Sequence, residues 1–100
     1  MPIAEYGEPN YWLTCMTIDP DAFGCDREAV RLALEQQDIE SRPTWKPLHL
    51  QPVFDGVATI GGDVSAAVFE QGLCLPSGSN LSDPDQDRVA EIVVGMAREQ

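Results

Sequence analysis

The segment Ser41-Arg42-Pro43-Thr44-Trp45-Lys46-Pro47-Leu48-His49-Leu50-Gln51-Pro52 gathers most of the chemically versatile side chains of a 100-residue chain. It holds the only lysine, Lys46, and the only histidine, His49, of a sequence whose net charge is −11. Arg42 offers a rigid fork for a carboxylate or phosphate, and Lys46 a point charge. Trp45 offers a flat face to a sugar or a base. His49 and Gln51 alternate with Leu48 and Leu50, so an extended backbone would point both the same way. The prolines would hold these groups with little entropy left to lose. Together they have the makeup of an edge for an anionic ligand. A second reading stands beside it: a proline-rich loop whose Trp45 and leucines pack on a sheet while its polar groups cap backbone. His49 taken alone fits a hydrogen-bonded structural histidine better than a general base.

Other chemistry is sparse. There is no Gly-rich phosphate loop after a strand, no H-E-x-x-H and no G-x-S-x-G. The 17 acidic residues are dispersed and read as a solvated face. Cys15, Cys25 and Cys74 are odd in number, lack C-x-x-C spacing and have one histidine for company, which disfavours a disulfide framework or a zinc site. Cys74 reads as a small buried hydrophobe. The acidic balance excludes a phosphate-backbone binder and an anionic membrane surface. No stretch approaches the roughly 20 apolar residues of a spanning helix, and residues 1–10 lack the basic start and apolar run of a signal peptide. The expectation is a cytoplasmic chain in a reducing compartment, with neither nucleic acid nor membrane as partner.

Elements must position that edge. The length allows one domain, residues 1–100, with 1–10 as a lead-in loop. Tyr11 to Ile18 reads as a strand, apolar on both faces and therefore central, and Asp19-Pro20-Asp21 breaks it. Asp26 to Gln37 reads as a helix with Ala29, Val30, Ala33 and Leu34 as its stripe. Ile39 to Arg42 is extended, since the residue before a proline avoids the helical region. Residues 43–62 lack periodicity. Asp63 to Gln71 reads as a helix with Val64, Ala67 and Val68 facing inward and Gly72 as its stop. Leu73 to Leu75 is a short strand and 77–80 a turn. Ser82 caps a last helix whose Val89, Ile92, Val93 and Met96 form one face. The expected fold is an α/β two-layer sandwich, a small three-stranded sheet with helices mainly on one face. Its core should hold Leu13, Cys15, Met16, Val30, Leu34, Val68, Leu73 and Leu75 as well.

Three runs carry a family likeness: Tyr11-Trp12-Leu13-Thr14-Cys15, the segment from Ile39 to Pro52, and Phe69-Glu70-Gln71-Gly72-Leu73-Cys74-Leu75-Pro76-Ser77-Gly78-Ser79. In order and spacing they resemble the C-terminal part of the DegT/DnrJ/EryC1/StrS sugar aminotransferases, which have the aspartate aminotransferase fold. The Trp45-Lys46-Pro47 version is most similar to the branch acting on UDP-linked acetamido-keto-sugars. The resemblance implies transfer of an amino group to a keto carbon of a nucleotide-linked sugar, with pyridoxal phosphate as the electron sink. It implies that Arg42, Trp45, Lys46, His49 and Gln51 approach the substrate. It also implies that the Schiff-base lysine, the acid partner of the pyridinium nitrogen and the phosphate cup lie in a large domain upstream of these runs. Lys46 falls in the small-domain motif, so this chain alone is expected to bind no cofactor. A missing large domain or a second copy would be its partner. The alternative is a free-standing, non-catalytic module that binds an anionic metabolite or a protein. These differ at one surface: a stranded piece leaves apolar area exposed, whereas a module replaces it with charge.

Overall fold

A computed structural model describes residues 2–97. In chain order it has strand β1 (Thr14–Thr17), helices α1 (Pro20–Phe23) and α2 (Arg27–Glu35), and strand β2 (Arg42–Pro43). Two 3-10 turns, Leu48–Leu50 and Pro52–Phe54, lead to helix α3 (Asp63–Gln71), strand β3 (Gly72–Leu75) and helix α4 (Asp83–Gly95). The sheet is antiparallel in the order β1-β3-β2, with Thr14 opposite Leu75 and Arg42 opposite Cys74.

Local chemistry sets the helix starts. The Asp26 carboxylate accepts the Ala29 N–H at 2.9 Å and opens α2. Ser82 and Asp85 satisfy one another's backbone N–H groups in a capping box, with a proline in the first turn of α4. After α2, Asp38 takes a left-handed φ of 57° while the Ile39 N–H donates to the Leu34 carbonyl. That turn delivers the chain to β2.

The core lies between the sheet and the pair α2 and α4. Val30, Leu34 and Leu73 are fully enclosed, and Ile18, Ile39 and Val89 are buried with them. Met16, Leu75, Ile92, Val93 and Met96 pack against this cluster. The two-layer α/β arrangement with helices mainly on one face is therefore present. Among the described residues, no helix is long and apolar enough to cross a membrane.

Several sequence expectations are corrected. β1 is an edge strand, not the central one; its Cys15 face borders an open groove shared with Val64 and Val68 of α3. It also starts late, because Tyr11 sits at a left-handed φ of 54° and the Asn10 side chain accepts the Trp12 N–H. Asp19-Pro20 ends β1 but also starts α1, with Asp19 as cap and Pro20 in the first turn. The stripe of α3 faces outward: Val64 is 79% and Val68 44% exposed, while Ala66 and Phe69 turn inward. Gly72 does not stop α3 through a left-handed turn, since its φ is −87°. It is required for room, lying against the Thr44 side chain and the Val68 carbonyl.

Candidate functional site

Strand alternation sorts the sheet residues. Met16, Ile18, Leu73 and Leu75 belong to the core, so Cys15 and Cys74 project from the other face. Arg42, registered with Cys74, shares that face. The sulfurs of Cys15 and Cys74 lie 3.4 Å apart. Burial and the neighbouring Cys15 push the Cys74 thiol up to about 11.

Beside them runs an open groove of about 920 Å³, bordered by Arg42, Trp45, Lys46, Cys74, Gly78 and Asn80. One side is the loop after β3. It is held by Ser77, whose hydroxyl accepts the Thr14 N–H at 2.8 Å and donates to the Leu75 carbonyl at 2.9 Å. The other side is the chain leaving β2, fixed where the Thr44 N–H donates to the Gly72 carbonyl and the Thr44 hydroxyl to the Val68 carbonyl. Arg42 is exposed, and its guanidinium pairs with Glu40 at 2.6 Å. In so exposed a setting that pair is easily exchanged for another anion. Trp45 meets Trp12 with ring centroids 5.7 Å apart and planes inclined at 36°. Both indoles keep about two thirds of their surface exposed. Trp12 was not among the expected site residues, and the signal that could have found it is its place in a strand-leading aromatic pair.

The structure brings Arg42, Trp45 and Lys46 together but puts His49 and Gln51 elsewhere. Leu48–Leu50 is a 3-10 turn, not an extended run, so the alternation that would have aligned His49 with Gln51 is absent. Gln51 Nε2 donates to the Lys46 carbonyl at 3.1 Å and closes that turn. The His49 ring packs on Gly62, where an added Cβ would fall 2.8 Å from its Cε1. Gly62 has a φ of 103° at the start of α3, so that position suits glycine on both counts.

On the far side of Trp45 lies a second, shallower groove of about 840 Å³, lined by Cys15, Thr44, Val64 and Val68. The outward stripe of α3 forms its wall. Trp45 borders both: the first groove carries Arg42, Lys46 and Arg88 alongside Asp38, Glu40 and Asp85, and the second is mostly apolar. Among the described residues, no group of three or more His, Cys, Asp or Glu side chains is placed to hold a metal ion.

The groove does not fit pyridoxal phosphate. A Schiff-base lysine is activated by desolvation in an apolar pocket or by a cation held beside it, whereas Lys46 stands exposed at an open rim.

Comparison with known proteins bears on what this edge serves. The family model of the DegT/DnrJ/EryC1/StrS aminotransferase family matches residues 2–94. EpsN of Bacillus subtilis (strain 168), named as a pyridoxal phosphate-dependent aminotransferase, is 40% identical over 98 residues, 94% of this chain and 24% of its own. GDP-perosamine synthase of Vibrio cholerae is 34% identical over 92% of this chain and 26% of its own. The chain therefore spans about a quarter of the length of the curated relatives it matches. The crystal structure of the aminotransferase TlmJ from Streptoalloteichus hindustanus superposes with a TM-score of 0.75 at 23% identity, over 96% of this chain and 25% of that one. Helicobacter pylori PseC, an aminotransferase of pseudoaminic acid biosynthesis, gives 0.71 at 16% identity, over 85% and 23%. These likenesses establish the fold.

Proposed function

The chain belongs to the DegT/DnrJ/EryC1/StrS aminotransferase family, and we propose that it is the C-terminal small domain, residues 1–100, of a sugar aminotransferase that works in the cytoplasm. In this reading it supplies the substrate-facing edge for a nucleotide-linked keto-sugar and has no turnover alone. The observation that carries it is the convergence of Arg42, Trp45 and Lys46 on one open groove. Arg42 would exchange Glu40 for an anionic group of the nucleotide sugar. Lys46 would add a point charge, and Trp45 a flat surface for a ring. His49 and Gln51 would act on the substrate only by fixing the Lys46–Gln51 turn that presents these groups. Pyridoxal phosphate, when held by the rest of the enzyme, supplies the electron sink; this chain's part is to bind and orient.

The apolar groove favours this reading over a free-standing module. Val64, Val68, Trp12 and Trp45 are all exposed, where a module would carry charge. The remaining three quarters of the enzyme, or a second copy, would cover that face.

A chimera tests this. Residues 2–94 replace the matching quarter of Bacillus subtilis EpsN, and glutamate-dependent amination of a panel of UDP- and GDP-linked keto-sugars is followed. The chimera should be active and the isolated chain inactive. Arg42→Ala and Trp45→Ala in the chimera should raise the sugar KM at least tenfold and leave the bound cofactor's absorbance intact. A cofactor-loaded chimera whose sugar KM ignores both substitutions would refute the assigned edge.

A further inference from the structure

Cys15 and Cys74 stand directly opposite one another on antiparallel strands. The Ile18 N–H donates to the Gln71 carbonyl at 2.9 Å, which makes Ile18 and Gln71 a hydrogen-bonded pair. Alternation along the ladder then makes Cys15 and Cys74 a non-hydrogen-bonded pair, the kind whose side chains approach most closely. Its Cα separation is about 4.5 Å, inside the roughly 4.4–6.8 Å range of a disulfide. The two sulfurs already touch at 3.4 Å, and both residues are only partly buried. The third thiol is out of reach, since Cys25 Sγ lies near the Met96 carbonyl, in the layer behind the sheet.

We propose that Cys15 and Cys74 form a redox-modifiable dithiol that closes to a cross-strand disulfide by exchange with a low-molecular-weight disulfide such as oxidised glutathione. The Cys15 thiolate attacks one sulfur of the small disulfide, expels one thiol and leaves a mixed disulfide. The Cys74 sulfur, giving up its proton, attacks the Cys15 sulfur and expels the second thiol. Two protein thiols are oxidised, one small disulfide is reduced, and the two thiol protons end on the two small thiols. The raised Cys74 thiol keeps its proton longer than an ordinary cysteine, which leaves the first attack to Cys15; once Cys15 is in the mixed disulfide, the part of that rise owed to Cys15 is gone. The product staples the edge strand β1 to β3 at the floor of both grooves. This inference does not depend on the proposed substrate.

The test is to equilibrate the 100-residue chain in mixtures of reduced and oxidised glutathione, quench with acid, and map cross-links by peptide mass. The Cys15–Cys74 disulfide, spanning 59 positions, should dominate, survive in Cys25→Ser, and raise the melting midpoint by roughly 8 °C or more. Cys74→Ser should instead retain glutathione on Cys15. Loop-closure entropy makes the opposite forecast for a chain without this geometry: the much shorter Cys15–Cys25 loop closes first. Dominance of Cys15–Cys25, or resistance of Cys15 and Cys74 to exchange when Cys25 reacts, would overturn the proposal.

Discussion

Gly72→Ala should be among the most damaging small substitutions available to this chain. The backbone there is ordinary extended chain, with φ −87° and ψ 139°, so alanine meets no conformational obstacle. The obstacle is space. An added Cβ would fall 2.6 Å from Thr44 Cγ2, and closer still to Thr44 Oγ1 and the Val68 carbonyl oxygen. Overpacking of this kind costs about 1–3 kcal/mol. Moving Thr44 aside also breaks its hydroxyl bond to the Val68 carbonyl, 2.8 Å in the native fold, for about 0.5–1.5 kcal/mol more. The lower entropy of an unfolded alanine returns about 0.4–1 kcal/mol. Because Val68 O is backbone in the last turn of α3, it cannot rotate away. The net loss should sit near the upper part of the sum, about 3 kcal/mol, or roughly 12–24 °C in midpoint. Urea unfolding followed by circular dichroism measures it. Thr44→Ala removes two of the three obstructing atoms, so the double variant should be at least about 1 kcal/mol more stable than the two single losses predict. A Gly72→Ala chain within about 0.5 kcal/mol of the parent, or strict additivity with Thr44→Ala, would refute the argument.

Two further outcomes follow from the same structure. Ser82→Ala should cost about 1 kcal/mol near neutral pH by removing the α4 cap. Hydrogen bonds from the Ser82 hydroxyl and backbone hold the Asp85 carboxyl below its ordinary 3.8, so its contribution is complete above that value and is lost as pH falls through the lowered one. The gap between parent and variant in thermal melts should therefore narrow below about pH 3.8; a gap that widens there contradicts the capping box. Val64→Asp should leave the isolated chain's melting within about 0.5 kcal/mol of the parent, because Val64 is 79% exposed, but should lower the melting midpoint of the EpsN chimera; a large loss of stability in the isolated chain would put α3 the other way round.

How much of this could be read from residues alone depends on what each signal encodes. Helix α4 is legible because Ser82, Pro84 and Asp85 are a local start signal and Val89 repeats at helical spacing. Val30 and Leu34 are legible as core for the same reason, and Leu73 because it lies in a short apolar strand. The strand order is not, because two apolar faces on Tyr11 to Ile18 say that both are shielded somewhere, without saying by what. Helix α3 fails in the same way: Val64, Ala67 and Val68 mark an apolar stripe, and periodicity cannot tell an inner core from a face awaiting a partner. Ile18 and Ile39 escape notice as core because each ends its segment beside a polar turn. Within the site, the type and proximity of Arg42, Trp45 and Lys46 are visible in sequence. The partition of His49 and Gln51 away from them is not, since it rests on a 3-10 turn and on contact with the distant Gly62.

The placement of β3 between the other two strands also dictates when the sheet can exist during synthesis. β1 and β2 are made early but are not neighbours, so neither has an edge to pair with until residues 72–75 leave the ribosome. One short strand, Gly72–Leu75, then completes both ladders at once. Pairings this distant in sequence form slowly and leave strand edges open meanwhile. Val89 of α4 completes the core around Leu73 later still. A nascent chain stopped after α3 would therefore carry three helices, two unpaired strand segments and no sheet, which makes the synthesis of residues 72–95 the decisive interval for chaperone protection.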